Sequence, residues 1–171
     1  MTIKILRRVA GILQQYTPLQ ASAGAASAGE LIALNSAGKL DDTMLPDGIG
    51  ADTRTATAGE ALTAGDFVNE HSNAGVWSAR LADNSNGRPA TGFVKAAFAS
   101  ATAATVYPLD ATNDQLSGLT IGTTYFLGTA GGVLAVPLDG TGATTGLIDQ
   151  QLGTARSATE LLTDDYGYVV L

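Results

Sequence analysis

One histidine, His71, and no cysteine narrow the chemistry this chain can carry. A His-pair metal site is ruled out, any hydrolytic triad would have to be built around His71 alone, and the Gly-x-Ser-x-Gly elbow that presents a nucleophilic serine is absent. His71 is therefore expected to be an ordinary polar residue at a strand end. Thiolate ligation, disulfides and cysteine nucleophiles are excluded outright. The tract Asp83-Asn84-Ser85-Asn86-Gly87 has the composition of a calcium loop but not its order, because an EF-hand needs Asp or Asn where Ser85 stands and its glycine one residue after Gly87. Asn and Gly tolerate positive φ, so a hairpin turn accounts for the tract. Asp41-Asp42 and Asp164-Asp165 are adjacent carboxylates, but neighbours on a strand point to opposite faces, so both pairs are expected in solvated turns. Gly140, Gly142 and Gly146 are wrongly spaced for a dinucleotide loop, and no phosphate-loop lysine is present. No catalytic set converges. The chain is expected not to be an enzyme, and no cofactor or metal is implied.

Charge narrows the partners. The 171 residues include nine basic and sixteen acidic side chains, a formal −7. Residues 1–50 balance Lys4, Arg7, Arg8 and Lys39 against Glu30, Asp41, Asp42 and Asp47, so residues 51–171, with five basic and twelve acidic, carry the whole excess. Nucleic-acid affinity rests on Lys and Arg neutralising phosphates, which an acidic body repels, so no nucleic-acid partner is expected. No membrane partner is expected either. Lys4, Arg7 and Arg8 with the small Ala21-Ser22-Ala23 imitate the ends of a secretion signal, but the apolar run Val9-Ala10-Gly11-Ile12-Leu13 stops at Gln14, short of the ~7–15 residues required. Pro18 and several serines break up the uncharged stretch that follows, leaving it too polar to span a bilayer.

The elements that must position any function fall into two regions, an arm over 1–50 and a β-rich domain over 51–171. In the arm, Ile5, Leu6, Val9, Ile12, Leu13 and Tyr16 recur at spacings of three and four, which on a helix forms one apolar stripe. A helical or extended arm is expected, and because so short a helix is marginal alone, it needs a partner: its own body or a neighbouring chain. Residues 21–29 are all Ala, Ser and Gly, the composition of a flexible or extended linker. A short apolar strand over 31–34 and a turn over 35–38 follow, and Pro46, Gly48 and Gly50 close the region.

From residue 51 onward glycines recur too often for a long helix. Between them lie Val76-Trp77, Phe93-Val94, Thr105-Val106-Tyr107, Tyr125-Phe126-Leu127, Val133-Leu134-Ala135-Val136 and Tyr168-Val169-Val170-Leu171. Short β-branched and aromatic runs separated by turns predict a mainly β fold, a small Gly/Ala-rich sandwich or barrel. Its core should be thin, and at roughly 25 cal/mol per Å² of apolar burial subunit contacts would add needed stability. Leu62-Thr63-Ala64-Gly65 with Phe67-Val68 is echoed 57 positions later by Leu119-Thr120-Ile121-Gly122 with Tyr125-Phe126-Leu127, and Gly75-Val76 by Gly132-Val133. A looser match pairs residues 92–96 with 153–157. Two copies of one β-unit would produce this echo; so few identities also leave room for coincidence.

Several phrases together resemble the capsid-decoration, head-fibre and cement proteins of tailed bacteriophages, with related phrases in short tail-fibre proteins. They are residues 29–41 (GELIALNSAGKLD), 45–50 (LPDGIG), 59–68 (GEALTAGDFV), 90–94 (ATGFV), 118–127 (GLTIGTTYFL) and 151–155 (QLGTA). The resemblance spans about residues 29–171; the first 20 residues match none of it. It implies a structural virion protein on the outer capsid surface, commonly a homotrimer, with the major capsid protein as partner and the N-terminal part facing the particle. On that reading the capsid-anchoring residues are Lys4, Ile5, Leu6, Arg7, Arg8, Val9, Ile12, Leu13 and Tyr16. The alternative is a short tail-fibre or spike subunit binding a host surface glycan, although the chain lacks the heptads or long repeats of a shaft. A small polysaccharide hydrolase or lyase would instead need carboxylates gathered in one cleft.

Overall fold

The computed structural model describes residues 4–45 and 52–171, so the stop expected at Pro46, Gly48 and Gly50 lies outside the described residues. The chain divides into two compact units, Met1–Ala51 and Asp52–Leu171.

The first unit begins with β1 (Ile5–Val9) and β2 (Ile12–Tyr16), an antiparallel hairpin in register from Ile5↔Tyr16 to Val9↔Ile12. Of the two forms open to the arm, helical or extended, the extended one is taken, and the cause is local. Ala10 and Gly11 take φ of 49° and 83°, the positive pair of a two-residue primed hairpin turn, which a right-handed helix cannot contain. The flanking runs, Ile-Leu-Arg-Arg-Val and Ile-Leu-Gln-Gln-Tyr, which share their opening Ile-Leu, then pair antiparallel. Residues 21–29 are not a free linker either: Gly24–Ser27 winds into a 3₁₀ turn, and the Ser22 N–H donates to Thr43 Oγ1 at 2.8 Å. Leu19 bridges Ile32 in parallel. The turn expected over 35–38 forms, with Asn35 Oδ1 accepting from the N–H groups of Ala37 and Lys39. A second 3₁₀ turn spans Asp42–Met44. Among the described residues of this unit only Pro18 is buried.

The second unit contains β3 (Arg54–Ala58), β4 (Phe67–Asn73), β5 (Val76–Leu81), β6 (Gly92–Phe93), β7 (Ala103–Pro108), β8 (Thr112–Asn113), β9 (Thr124–Leu127), β10 (Val133–Leu134), β11 (Ile148–Asp149), β12 (Gln151–Ala155), β13 (Leu161–Thr163) and β14 (Val169–Val170). The protein is mainly β, as its glycine punctuation predicts. Strands β3-β5-β4-β6-β7 close a barrel, β10-β9-β12-β13-β8 form an open sheet, and β11 pairs with β14. No helix among the described residues is long and apolar enough to cross a membrane.

Strand alternation divides the interior in two. On β4, Val68 enters the barrel while Phe67 faces the open sheet; the same split separates Val94 from Phe93 and Val106 from Tyr107. The barrel is filled by small side chains, including Ala56, Ala58, Ala79 and Ala104. The larger core, with Phe67, Phe93, Leu127, Leu152 and Leu161, lies between barrel and sheet.

The echo in the sequence is a structural repeat. Taken in chain order, β3, β4, β5, β6 and β7 correspond to β8, β9, β10, β12 and β13, and the barrel order β5-β4-β6-β7-β3 becomes the sheet order β10-β9-β12-β13-β8. The turn before β4, closed by Asp66 N–H to Thr63 C=O, recurs 57 positions later as Thr123 N–H to Thr120 C=O. Both hairpins turn at Ala-Gly with positive φ, Ala74-Gly75 and Ala130-Gly131, the same turn that makes the arm's hairpin. The copies differ in closure: β3 also pairs in parallel with β5, through Thr57↔Ser78 and Ala58↔Ala79, whereas β8 and β10 are the two edges of the open sheet.

Candidate functional site

The nine residues singled out as an anchor all fall on the β1–β2 hairpin or at its start. Strand pairing puts Ile5, Arg7, Val9, Ile12, Gln14 and Tyr16 on one face and Leu6, Arg8, Leu13 and Gln15 on the other. The apolar residues thus form two patches rather than one helical stripe. Leu6 and Leu13 are 69% and 67% exposed, and Ile12 and Val9 are also exposed. Across residues 4–16 there are three cations and no acid.

Part of the first face is tied down locally. The Arg7 guanidinium lies 4.2 Å from the Tyr16 ring centroid and 3.6 Å from a Glu30 carboxylate oxygen. The Tyr16 hydroxyl accepts from the Leu31 N–H at 3.1 Å. The Glu30 carboxylate beside it, with some desolvation, holds the Tyr16 hydroxyl above the usual phenol range. Lys4 reaches Gln15 at 3.4 Å, and Arg8 Nε donates to the Gly11 carbonyl. Leu6 and Leu13, on the opposite face, remain open.

The residues considered for catalysis or metal binding stand apart. His71 lies inside β4 rather than at its end, opposite Ser78, and its Nδ1 is buried without a hydrogen-bond partner among the described residues. Asp83 closes a turn: its carboxylate accepts from Ser85 N–H and Oγ at 2.8 and 2.6 Å and from the Ala130 N–H at 3.1 Å. Burial alone would raise its pKa, but these bonds and Arg88 together hold it below the usual carboxylate range. Asp41 is likewise lowered by the Thr43 hydroxyl and N–H. Asp164 accepts the Asp165 N–H within an exposed loop.

Sequence reasoning missed a cleft on the body. Arg54 on β3, Glu70 on β4, Trp77 on β5, Asp110 after β7, and Asp165 and Tyr168 before β14 line a cavity of about 580 Å³. Glu70, its side chain 3% exposed, pairs with Arg54 at 2.8 Å and accepts the Trp77 indole N–H at 3.2 Å. Arg54 also donates to the Thr91 carbonyl at 3.0 Å. The floor is fixed by Gln150, whose side-chain amide takes the Ala90 N–H at 2.7 Å and donates to the Ala90 carbonyl at 2.9 Å. The contributing residues are separated by up to 114 positions, from Arg54 to Tyr168, and no local motif announces them; the lone tryptophan on a strand was the one available signal.

No family model and no curated protein matches the sequence. Among solved structures the chain is similar to the head fibre gp8.5 N base of bacteriophage phi29, with a TM-score of 0.42 and 16% identity over 66% of this chain and 92% of that one.

Proposed function

We propose that this protein is a non-enzymatic structural component of a tailed-phage particle, seated on the outer face of the capsid through the β1–β2 hairpin with the acidic body turned to solvent. The observation that carries the reading is the hairpin itself: exposed Leu6, Ile12 and Leu13, three nearby cations, and a unit whose described residues bury only Pro18. Apolar side chains left in water gain by burial against another surface, and the cations favour an acidic one, as a capsid shell subunit could present. The residue-level resemblance of 29–41 and 59–68 to decoration and head-fibre proteins supports the same reading. The acidic body disfavours contact with packaged nucleic acid. A homotrimer fits an arm with so little interior, because a shared axis would give three arms a common core.

Deletion of residues 1–20 tests the anchor. Binding to undecorated capsids should be lost while the body keeps its β-rich circular dichroism and cooperative melt. Full occupancy by the truncated protein would place the anchor elsewhere, and collapse of the body would make the hairpin a packing element. Sedimentation of the intact protein tests the trimer; a stable monomer at micromolar concentration counts against it.

A further inference from the structure

The cleft on the body has the features of a small-molecule site, and none of its residues belongs to the proposed anchor. Its volume of about 580 Å³ is in the range that encloses a compact ligand. Two aromatic side chains at its wall, Trp77 and Tyr168, are 53% and 52% exposed. Trp77 is nevertheless held in place: its N–H is spent on Glu70, and Glu70 is clamped by Arg54. A held ring loses little entropy when a ligand covers it.

The polar groups select the ligand. Both Glu70 oxygens are committed to protein donors. Asp110 is exposed and its carboxylate accepts no hydrogen bond among the described residues, while Asp165 accepts only the 3.4 Å contact from the Gly167 N–H. Two acceptor-only carboxylates call for hydroxyl or amide donors. Anionic ligands are disfavoured, since three carboxylates face one already paired arginine. A purely apolar ligand would leave the carboxylates desolvated without donors. A free cation meets the Arg54 guanidinium on the same wall. A pyranose ring satisfies both halves, with a C–H face for the indole and phenol and hydroxyl donors for the carboxylates.

We propose that the cleft between Trp77 and Tyr168 binds a neutral saccharide, with the rings as stacking platforms and Asp110 and Asp165 as hydroxyl acceptors. The step is recognition without cleavage. It does not depend on how the arm docks.

The full-length protein would be screened against arrayed neutral oligosaccharides ending in glucose, galactose or N-acetylglucosamine, and hits titrated in solution. Because Trp77 is the sole tryptophan, its fluorescence should shift to the blue as a bound sugar covers it, a readout that needs no variant. Trp77→Ala should weaken binding tenfold or more, Tyr168→Ala less, and Trp77→Phe should restore part of the loss. Leu6→Asp, remote from the cleft residues in sequence and on the arm, should leave sugar affinity unchanged. No binding at millimolar sugar, binding without a fluorescence shift, or affinity indifferent to both ring substitutions would overturn the proposal. So would saturation of the same tryptophan shift by tetramethylammonium with no response to sugars, which would make this a cation site.

Discussion

The arm and the body solve the same problem in opposite ways. Both are made of short strands joined by Ala-Gly turns with positive φ, at Ala10-Gly11 in the arm and at Ala74-Gly75 and Ala130-Gly131 in the body. In the body those hairpins lie in a barrel and a sheet that bury Phe67, Phe93, Leu127 and Leu152 completely or nearly so. In the arm the same hairpin leaves Leu6 and Leu13 in water. A hairpin is thus only a scaffold; whether its side chains stabilise the chain or await a partner depends on what the next strands cover. Two-stranded hairpins are marginal alone, so the arm is the part of the molecule with most to gain from association.

Paired truncations would break or sharpen that contrast. Phe93→Ala removes a ring packed 5.9 Å from Phe67 and 5.7 Å from Tyr107 between centroids and should destabilise the body by about 3–5 kcal/mol, read as a lower denaturation midpoint. Leu13→Ala on the arm should leave the same midpoint within about 0.5 kcal/mol while weakening the proposed capsid attachment. A similar loss from Leu13→Ala in the free protein would mean that the arm already has an internal partner.

The fourth strands of the two copies, β6 and β12, provide the next test. A Cβ at Gly153 would run into the Leu162 carbonyl, and one at Gly92 into the Tyr107 carbonyl and Val106. Gly153→Ala should therefore cost about 3 kcal/mol through overpacking. Gly75→Ala, where a Cβ meets nothing within 4 Å, costs only its left-handed backbone, about 1–2 kcal/mol. Equal effects would show that the close strand approach at Gly153 relaxes easily.

Protonation should separate the units by direction. Asp83 is held below its ordinary pKa in the body, so the unfolded chain takes up the proton first. Its contribution is present above the unfolded carboxylate value, about 3.9, and fades as pH falls through the lower folded value. Asp83→Asn should flatten the acid limb of the body's pH–stability profile. Tyr16 is raised in the arm, so its contribution is present below the unfolded phenol value, about 10, and fades as pH rises through the folded one. An ultraviolet titration of the intact protein, compared with that of Glu30→Gln, should show that removing the carboxylate makes the Tyr16 phenol ionise earlier. This is the smallest of the expected effects, because Tyr16 is only partly buried and solvent screens its charged neighbours.

The body was legible in the sequence because its signals are local. Glycine spacing announced the turns, β-branched runs announced the strands, and the 57-residue echo announced the duplicated unit. The sequence left the arm helical or extended because spacings of three and four over twelve residues also occur when two five-residue strands flank a two-residue turn. The Ala-Gly between two runs that both open on Ile-Leu was the discriminating feature. Closure was not legible: nothing local in Arg54–Ala58 tells it to pair in parallel with Val76–Leu81 while Thr112–Asn113 has no equivalent partner. The cleft was hidden for the same reason, since its residues converge only after both copies have folded.

The duplicated body is stitched across its two copies by buried polar side chains. Gln150 brackets both backbone groups of Ala90, Asn84 donates to the Leu127 carbonyl at 2.9 Å, and Asn113 donates to the Gly65 carbonyl at 2.9 Å. Tandem units joined by a slippery apolar surface can part and re-form independently, but these clips must break before either copy opens, exposing unpaired amides at a cost to each. Amide hydrogens in both copies, that of Ala90 among them, should consequently exchange with deuterium on a single slow timescale set by global opening, making one cooperative foldon of what began as two.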